Sequence, residues 1–361
     1  MAKIKKRADG RYKVSYSLNG KRKYFYGATR AEALSRREEF VITLKKAPNM
    51  DESITLTEWL DEYLLDAKSR VARATYVSYE RICRLHLVPA LGANALVAIQ
   101  PAMIREFLAN KSATCSSRSV EYMYIILKAA LTLAVNDGVI YRNPAASVQK
   151  PKVTHKQSIA LSVEQVRALL AAIDDSEFRR LVYVTVTTGL RREEVLALRI
   201  QDVNIDKGAI SVIQTLHYDN RQVYITQTTK TAASRRVIAL DNKTLAIVKE
   251  QLTAVKRRQK TTFGYNHDLK LLFAAEDGNP LFPSWVSKRL QKYAKKAGIP
   301  DGFTFHGLRH THATLLLESG ANYKAIQARL GHSSFKTTMD VYSHVTQLME
   351  ADILNKISEF A

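Results

Sequence analysis

Apolar residues recur at helical spacing through most of this chain and alternate only in short stretches. Tyr12, Val14, Tyr16 and Leu18 alternate, Asn19-Gly20 is a strong hairpin signal, and Lys21 to Tyr26 returns as a second strand. A helix capped by Thr29 follows through Ala31, Leu34, Phe40 and Val41, and 47–54 reads as a linker. From Thr55 the pattern is wholly helical: Leu56, Leu60, Tyr63 and Leu64, then Tyr76, Tyr79, Ile82 and Leu85, then Ile104 to Leu108, then Tyr122 to Val135. Asp137-Gly138 stops the last helix. A basic linker spans 145–160. Ser162 and Gln165 then form a capping box, and a buried helix over Phe178–Thr188 ends at Gly189. Residues 209–216, 222–226 and 235–240 are expected as strands, and helices resume from Asp241.

Charge changes the picture most. Lys and Arg number 55 against 34 Asp and Glu, a net +21, and residues 1–46 alone hold 14 Lys or Arg against 4 acids. Such an excess points to a polyanion, most simply nucleic acid. In the first module Lys21, Arg22, Lys23 and Tyr24 are candidate DNA contacts, as are Arg70 and Arg73 at the junction of two predicted helices. No apolar run approaches the roughly 18 residues of a membrane span. The basic start has no apolar stretch after it, so a secretory signal is not expected. Two isolated cysteines, Cys83 and Cys115, suit a reducing cytoplasm and no disulfide framework.

Two stretches carry candidate chemistry. In Thr188-Gly189-Leu190-Arg191-Arg192-Glu193-Glu194 a glycine turns the chain and Arg191 opens a new helix, where free N–H groups already favour anions. Glu194, three positions on, is close enough to buttress it. The second stretch, 304–344, holds His306 and Arg309 on one helical face, His332 after Gly331, and Tyr342 ten residues later. Arginines neutralise phosphate oxygens, histidines exchange protons near neutrality, and tyrosine is a competent covalent nucleophile given cationic help. His306 and His310 also have a metal-ligand spacing. No Glu stands between them as in HExxH and Arg309 would repel a cation, so no metal is assigned, and His310 and His312 are expected to be structural.

TGLRREE, TTKTAASRRVI, HGLRHTHAT, LGHSS and TTMDVYSHV, in this order, resemble the motifs of the tyrosine recombinase, or phage integrase, family. The likeness extends over the whole chain and is greatest to integrases of Gram-positive conjugative transposons and temperate phages. It implies a multidomain protein, mainly α with small β-sheets (α+β). Residues 1–46 would be an arm-type DNA-binding domain with a small three-stranded sheet and a helix. Residues 53–150 would be a SAM-like core-binding domain, and 158–361 a mixed α/β catalytic domain with a tail at 346–361 that docks in the same protomer or a neighbour.

The resemblance also implies roles. Arg191, His306, Arg309 and His332 would bind the scissile phosphate, with Glu194 in support. Lys230 would be the general acid, with Lys207 and Lys243 nearby in sequence, and Tyr342 the nucleophile. The implied enzyme is a site-specific integrase using type IB topoisomerase-like chemistry. It would form a 3′-phosphotyrosine and a Holliday junction, without a cofactor, as a homotetramer on double-stranded DNA at core-type and arm-type sites. An excisionase and a host DNA-bending protein are the implied accessories. A topoisomerase, a catalytically dead DNA-binding regulator and a zinc hydrolase are the alternatives.

Overall fold

Residues Tyr12–Leu18 (β1) and Lys21–Gly27 (β2) pair antiparallel, Tyr12 opposite Gly27 and Tyr16 opposite Lys23, in a computed structural model of the chain. The structure describes residues 6–18, 21–46, 51, 53–154, 159–219, 222–227 and 235–331, so the Asn19-Gly20 turn and the tail at 346–361 lie outside it. A single bridge joins Lys6 to Tyr12 beside these two strands. The described part falls into two units, 1–155 and 156–361.

In the first unit the helix α1 (Arg30–Lys46) follows the hairpin. Thr29 Oγ1 accepts from Glu32 N, one of the free N–H groups at the helix start, and Glu32 Oε2 reaches back to accept from Ala28 N just before it. Phe25 of β2 packs on Phe40 of α1, their rings 5.1 Å apart. Then come α2 (Leu56–Arg70), α3 (Arg73–Ile82), a π-helical turn over Cys83–Leu87, α4 (Val88–Leu91), α5 (Pro101–Ser112) and α6 (Ser117–Asn136). Thr55 and Glu58 form a capping box at α2, and Ser116 caps α6. The helices close on Leu60, Leu87, Ile104, Met123, Leu127 and Leu131, all essentially inaccessible to solvent. Trp59 buries its ring among them because its Nε1–H finds Ala130 O at 2.7 Å.

The second unit begins with α7 (Val163–Ala172), α8 (Ser176–Thr188) and α9 (Arg192–Ala197). The short strands β3 (Val203–Asn204), β4 (Ala209–Val212), β5 (Gln214–Asp219), β6 (Gln222–Gln227) and β7 (Arg236–Ala239) follow. Helices α10 (Asn242–Thr261), α11 (Pro283–Lys296), α12 (Phe305–Glu318) and α13 (Tyr323–Leu330) complete it. The stretch expected as one strand over 209–216 breaks at Ile213. Its first half joins an antiparallel sheet of order β3-β4-β7, and its second half pairs with β6. Beside the break, the buried Gln214 side chain donates through Nε2 to Ala197 O at the end of α9. Val182, Leu196, Ile210, Val248, Leu272, Val286, Leu290 and Leu308 form the core. Against it lie the ends of α8, α9, α12 and α13, where the polar residues collect.

Candidate active site

Helix α8 stops at Thr188 because Gly189 is left-handed, with φ 68°. A Cβ at Gly189 would come within 2.6 Å of both the His312 ring and Leu330, so no other residue fits without displacement. The chain restarts one residue beyond Leu190, with Arg191 as the N-cap of α9. Arg191 N donates to Glu194 Oε2 and Arg191 Nη1 to Glu194 Oε1, both at 2.8 Å, while Nη2 donates to Gly331 O at 3.1 Å.

Arg309 enters from α12 and is only 2% exposed. Its Nη1 donates to Gly189 O at 2.8 Å and its Nη2 to Leu330 O at 2.6 Å. Among the described residues its Nε has no hydrogen-bond partner. Burial, together with the Arg191 cation, pushes its pKa down to about 9, with Glu194 opposing, so it stays protonated at neutral pH. The two guanidiniums therefore hang from consecutive carbonyls, Leu330 and Gly331, where α13 ends in the left-handed Gly331 (φ 67°).

His306 lies one turn before Arg309, at the exposed start of α12. The surrounding protein lowers its imidazole pKa, and Arg309 and Arg191 push the same way, which favours the neutral ring. Gly307 after it packs so closely on Phe303 that a Cβ would lie 2.7 Å from that ring. Lys230, His332 and Tyr342 lie outside the described residues.

Arg236 and Arg329, which the motifs left unassigned, and His312, expected to be structural, complete the cluster. Arg236 on β7 sets Nη1 and Nη2 on the Glu194 carboxylate at 3.0 and 2.8 Å and donates through Nε to Arg329 O at 2.8 Å. Arg329 reaches His312. His312 is buried, its Nδ1 2.9 Å from Val186 O, and burial and the Arg329 cation depress its pKa to about 4. Glu194 is thus wedged between two arginines. Burial alone would raise its pKa, but the Arg236 hydrogen bonds and charge, helped by Arg191, pull it down to about 2. Arg191 and Arg236 pair with this carboxylate and Arg309 feels its charge, and such an excess of fixed positive charge at a site rimmed by an exposed histidine suits an anion. Arg236 and Arg329 could not be found from spacing, since each meets its partner only through the fold.

In the first unit the strand alternation sorts the basic candidates. Arg22, Tyr24 and Tyr26 share one face of β2, across from Ser17, Ser15 and Lys13 of β1. Lys13 Nζ stands 3.6 Å from the centre of the Tyr24 ring, and Arg7 and Arg11 cover Tyr26. Lys23 falls on the other face with Phe25, its Nζ 4.5 Å from the centre of the Phe40 ring. Lys21 pairs through its backbone with Leu18. Arg70 donates through Nε to Asp66 Oδ2 at 2.7 Å, and Arg73 is exposed at the start of α3.

The sequence matches the model of the phage integrase family over residues 160–349, and that of the phage integrase N-terminal SAM-like domain over 55–112. It is 26% identical over 378 residues to a tyrosine recombinase XerC-like protein of Caldanaerobacter subterraneus subsp. tengcongensis, covering 96% of each chain. It is 25% identical over 371 residues to the ICEBs1 integrase of Bacillus subtilis, covering 99% of each. In fold it is similar to the Tn1549 transposon integrase solved with transposon right end DNA, with a TM-score of 0.72 at 22% identity over 84% of this chain and 100% of that one. It is likewise similar to the lambda integrase solved as a tetramer on a Holliday junction, with a TM-score of 0.63 at 21% identity over 94% of each chain.

Proposed function

The chain belongs to the phage integrase family, the tyrosine recombinases, and we propose that it integrates and excises a mobile element or prophage by cutting and rejoining DNA at specific sites. The observation that carries this reading is the pairing of Arg191 and Arg309 on the consecutive carbonyls of Gly331 and Leu330, immediately before His332. Two guanidinium forks, both charged at neutral pH and held side by side, suit the non-bridging oxygens of one phosphodiester. The third potential donor, His332, follows in the chain.

In the proposed reaction the Tyr342 hydroxyl oxygen attacks the scissile phosphorus and the P–O5′ bond breaks. His306, kept neutral by its surroundings, takes the phenolic proton, and Lys230 gives a proton to the departing 5′ oxygen. Arg191, Arg309 and His332 neutralise charge as it builds on the non-bridging oxygens. The product is a 3′-phosphotyrosine and a free 5′-hydroxyl. A 5′-hydroxyl from the partner duplex then attacks the phosphotyrosine, which restores the ester and frees Tyr342. The ester's energy is conserved throughout, so the reaction calls for no nucleotide and no metal.

Double-stranded DNA is the proposed partner, bound at core-type sites through residues 53–361 and at arm-type sites through 1–46, by four protomers on one Holliday junction. An excisionase and a host DNA-bending protein are proposed accessories, and the cytoplasm is the proposed location. Among the described residues no helix is long and apolar enough to cross a membrane. The solved DNA complexes of the fold neighbours support this reading. The test is an intermolecular reaction between two plasmids carrying the element's paired attachment sites. Recombinant junctions with wild type and none with Tyr342→Phe support it, and relaxation of supercoils without exchange would overturn it in favour of a topoisomerase.

A further inference from the structure

Arg329 stands in the last turn of α13 and spreads its guanidinium over three other elements. Nε donates to His312 Nε2 on α12 at 3.2 Å, Nη1 to Ala239 O at the end of β7 at 3.2 Å, and Nη2 to Thr187 O in the last turn of α8 at 3.3 Å. His312 can accept only in one tautomer. Its Nδ1 faces Val186 O, a pure acceptor, so Nδ1 carries the hydrogen and Nε2 offers its lone pair to Arg329. The same ring is the wall that Gly189 turns against. Arg329's own carbonyl accepts from Arg236, and the next two carbonyls, Leu330 and Gly331, hold Arg309 and Arg191.

We propose that Arg329 and His312 are positioning residues for strand cleavage: their pairing fixes the end of α13, so that the Leu330 and Gly331 carbonyls hold both phosphate-facing arginines in register. The proposal rests on the reading of the chain as a recombinase. Neither residue touches the reacting atoms; each acts through the backbone that orients Arg309 and Arg191. Lysine cannot replace Arg329, because a single ammonium does not reach three divergent acceptors as a planar fork does.

The experiment is single-turnover cleavage of a nicked core-site DNA by the full chain, with DNA affinity measured alongside. The variants are Arg329→Leu, Arg329→Lys, His312→Leu, His312→Gln and the double Arg329→Leu/His312→Leu. Losing a charge-assisted hydrogen bond of this kind slows cleavage about 10- to 100-fold in Arg329→Leu, with affinity little changed. His312→Gln retains more activity than His312→Leu, because its amide can donate to Val186 O and accept from Arg329. The double variant is slowed by clearly less than the product of the two single effects, since both break the one contact they share.

A methylphosphonate at the scissile position supplies a readout that general destabilisation would not move. It removes the charge the arginines neutralise, so each variant's deficit relative to wild type shrinks on it, whatever fraction of the variant is folded. Arg329→Leu at wild-type rate, additive single effects, or a deficit of equal size on the neutral substrate would each overturn the proposal. Absence of cleavage by wild type itself would instead overturn the recombinase reading.

Discussion

Arg236 sets its two terminal nitrogens on the two carboxylate oxygens of Glu194, at 3.0 and 2.8 Å, while the same carboxylate takes the backbone and side chain of Arg191. Glu194 is therefore the joint between the strand that follows the Lys230 segment and the helix that begins with Arg191.

Removing one member of a buried ion pair leaves the other charged and unpaired, at a cost of about 3–5 kcal/mol. Glu194 is 4% exposed and the Arg236 side chain 6%. Glu194→Ala should thus lower unfolding free energy by about that amount in urea melts, and Arg236→Ala by a similar amount. Both should also lose cleavage activity, because Arg191 loses its support.

Acid should weaken the catalytic unit through His312. Its folded pKa is about 4 against an ordinary value of 6.5, so between those values the unfolded chain binds the extra proton and stability falls as pH falls. The difference amounts to roughly 3 kcal/mol of stability present above pH 6.5 and lost by pH 4. Glu194, with its folded pKa near 2 against 4.5, adds a further loss lower still, as pH falls from 4.5 toward 2. Melts at pH 7, 5.5 and 4.5 should show a shallower pH dependence for His312→Gln than for wild type. Parallel curves would contradict the assignment.

The two faces of β2 should differ in DNA binding. Arg22→Ala and Tyr24→Ala remove groups from the open basic and aromatic face, whereas Lys23 lies on the face that packs on α1. Arm-site affinity should fall about 5- to 30-fold for the first two, as for lost phosphate or stacking contacts. Lys23→Ala should change it less and should shift the melting temperature instead. The slope of affinity against salt should flatten by about one for Arg22→Ala and stay unchanged for Tyr24→Ala.

Substituting Arg191 should separate chemistry from binding. Arg191→Ala should reduce cleavage at least about 100-fold, the scale of one lost transition-state donor, with core-site affinity nearly intact. Lys230→Ala should slow cleavage of ordinary DNA and recover on a 5′-bridging phosphorothiolate, whose thiolate leaves without a proton. Failure to recover would move the general acid to another lysine such as Lys207 or Lys243.

What could be read from the chain beforehand follows the range of each interaction. Helix caps such as Thr55 with Glu58 and Ser162 with Gln165 span three residues, and so does the Arg191 contact with Glu194. Local spacing reveals such pairs. Arg236 meets Glu194 across 42 positions and Arg329 meets Thr187 across 142, and nothing in either neighbourhood signals the partner. His312 was legible as structural, but its role as the acceptor for Arg329 depends on a tautomer set by Val186 O. The break at Ile213 was hidden because both halves alternate as one strand would, while the division between two sheets is a tertiary event. The run Lys21 to Tyr24 reads as one basic patch until strand alternation places Lys23 opposite Arg22 and Tyr24.

The most direct test is a suicide-substrate assay: nicked core-site DNA incubated with the full chain in EDTA, wild type against Tyr342→Phe, resolved under denaturing conditions. A covalent protein–DNA adduct in wild type, mapped by peptide mass spectrometry to Tyr342 and absent in the variant, is the predicted result. An adduct that persists in Tyr342→Phe, or wild type that binds the DNA without forming one, would contradict the account.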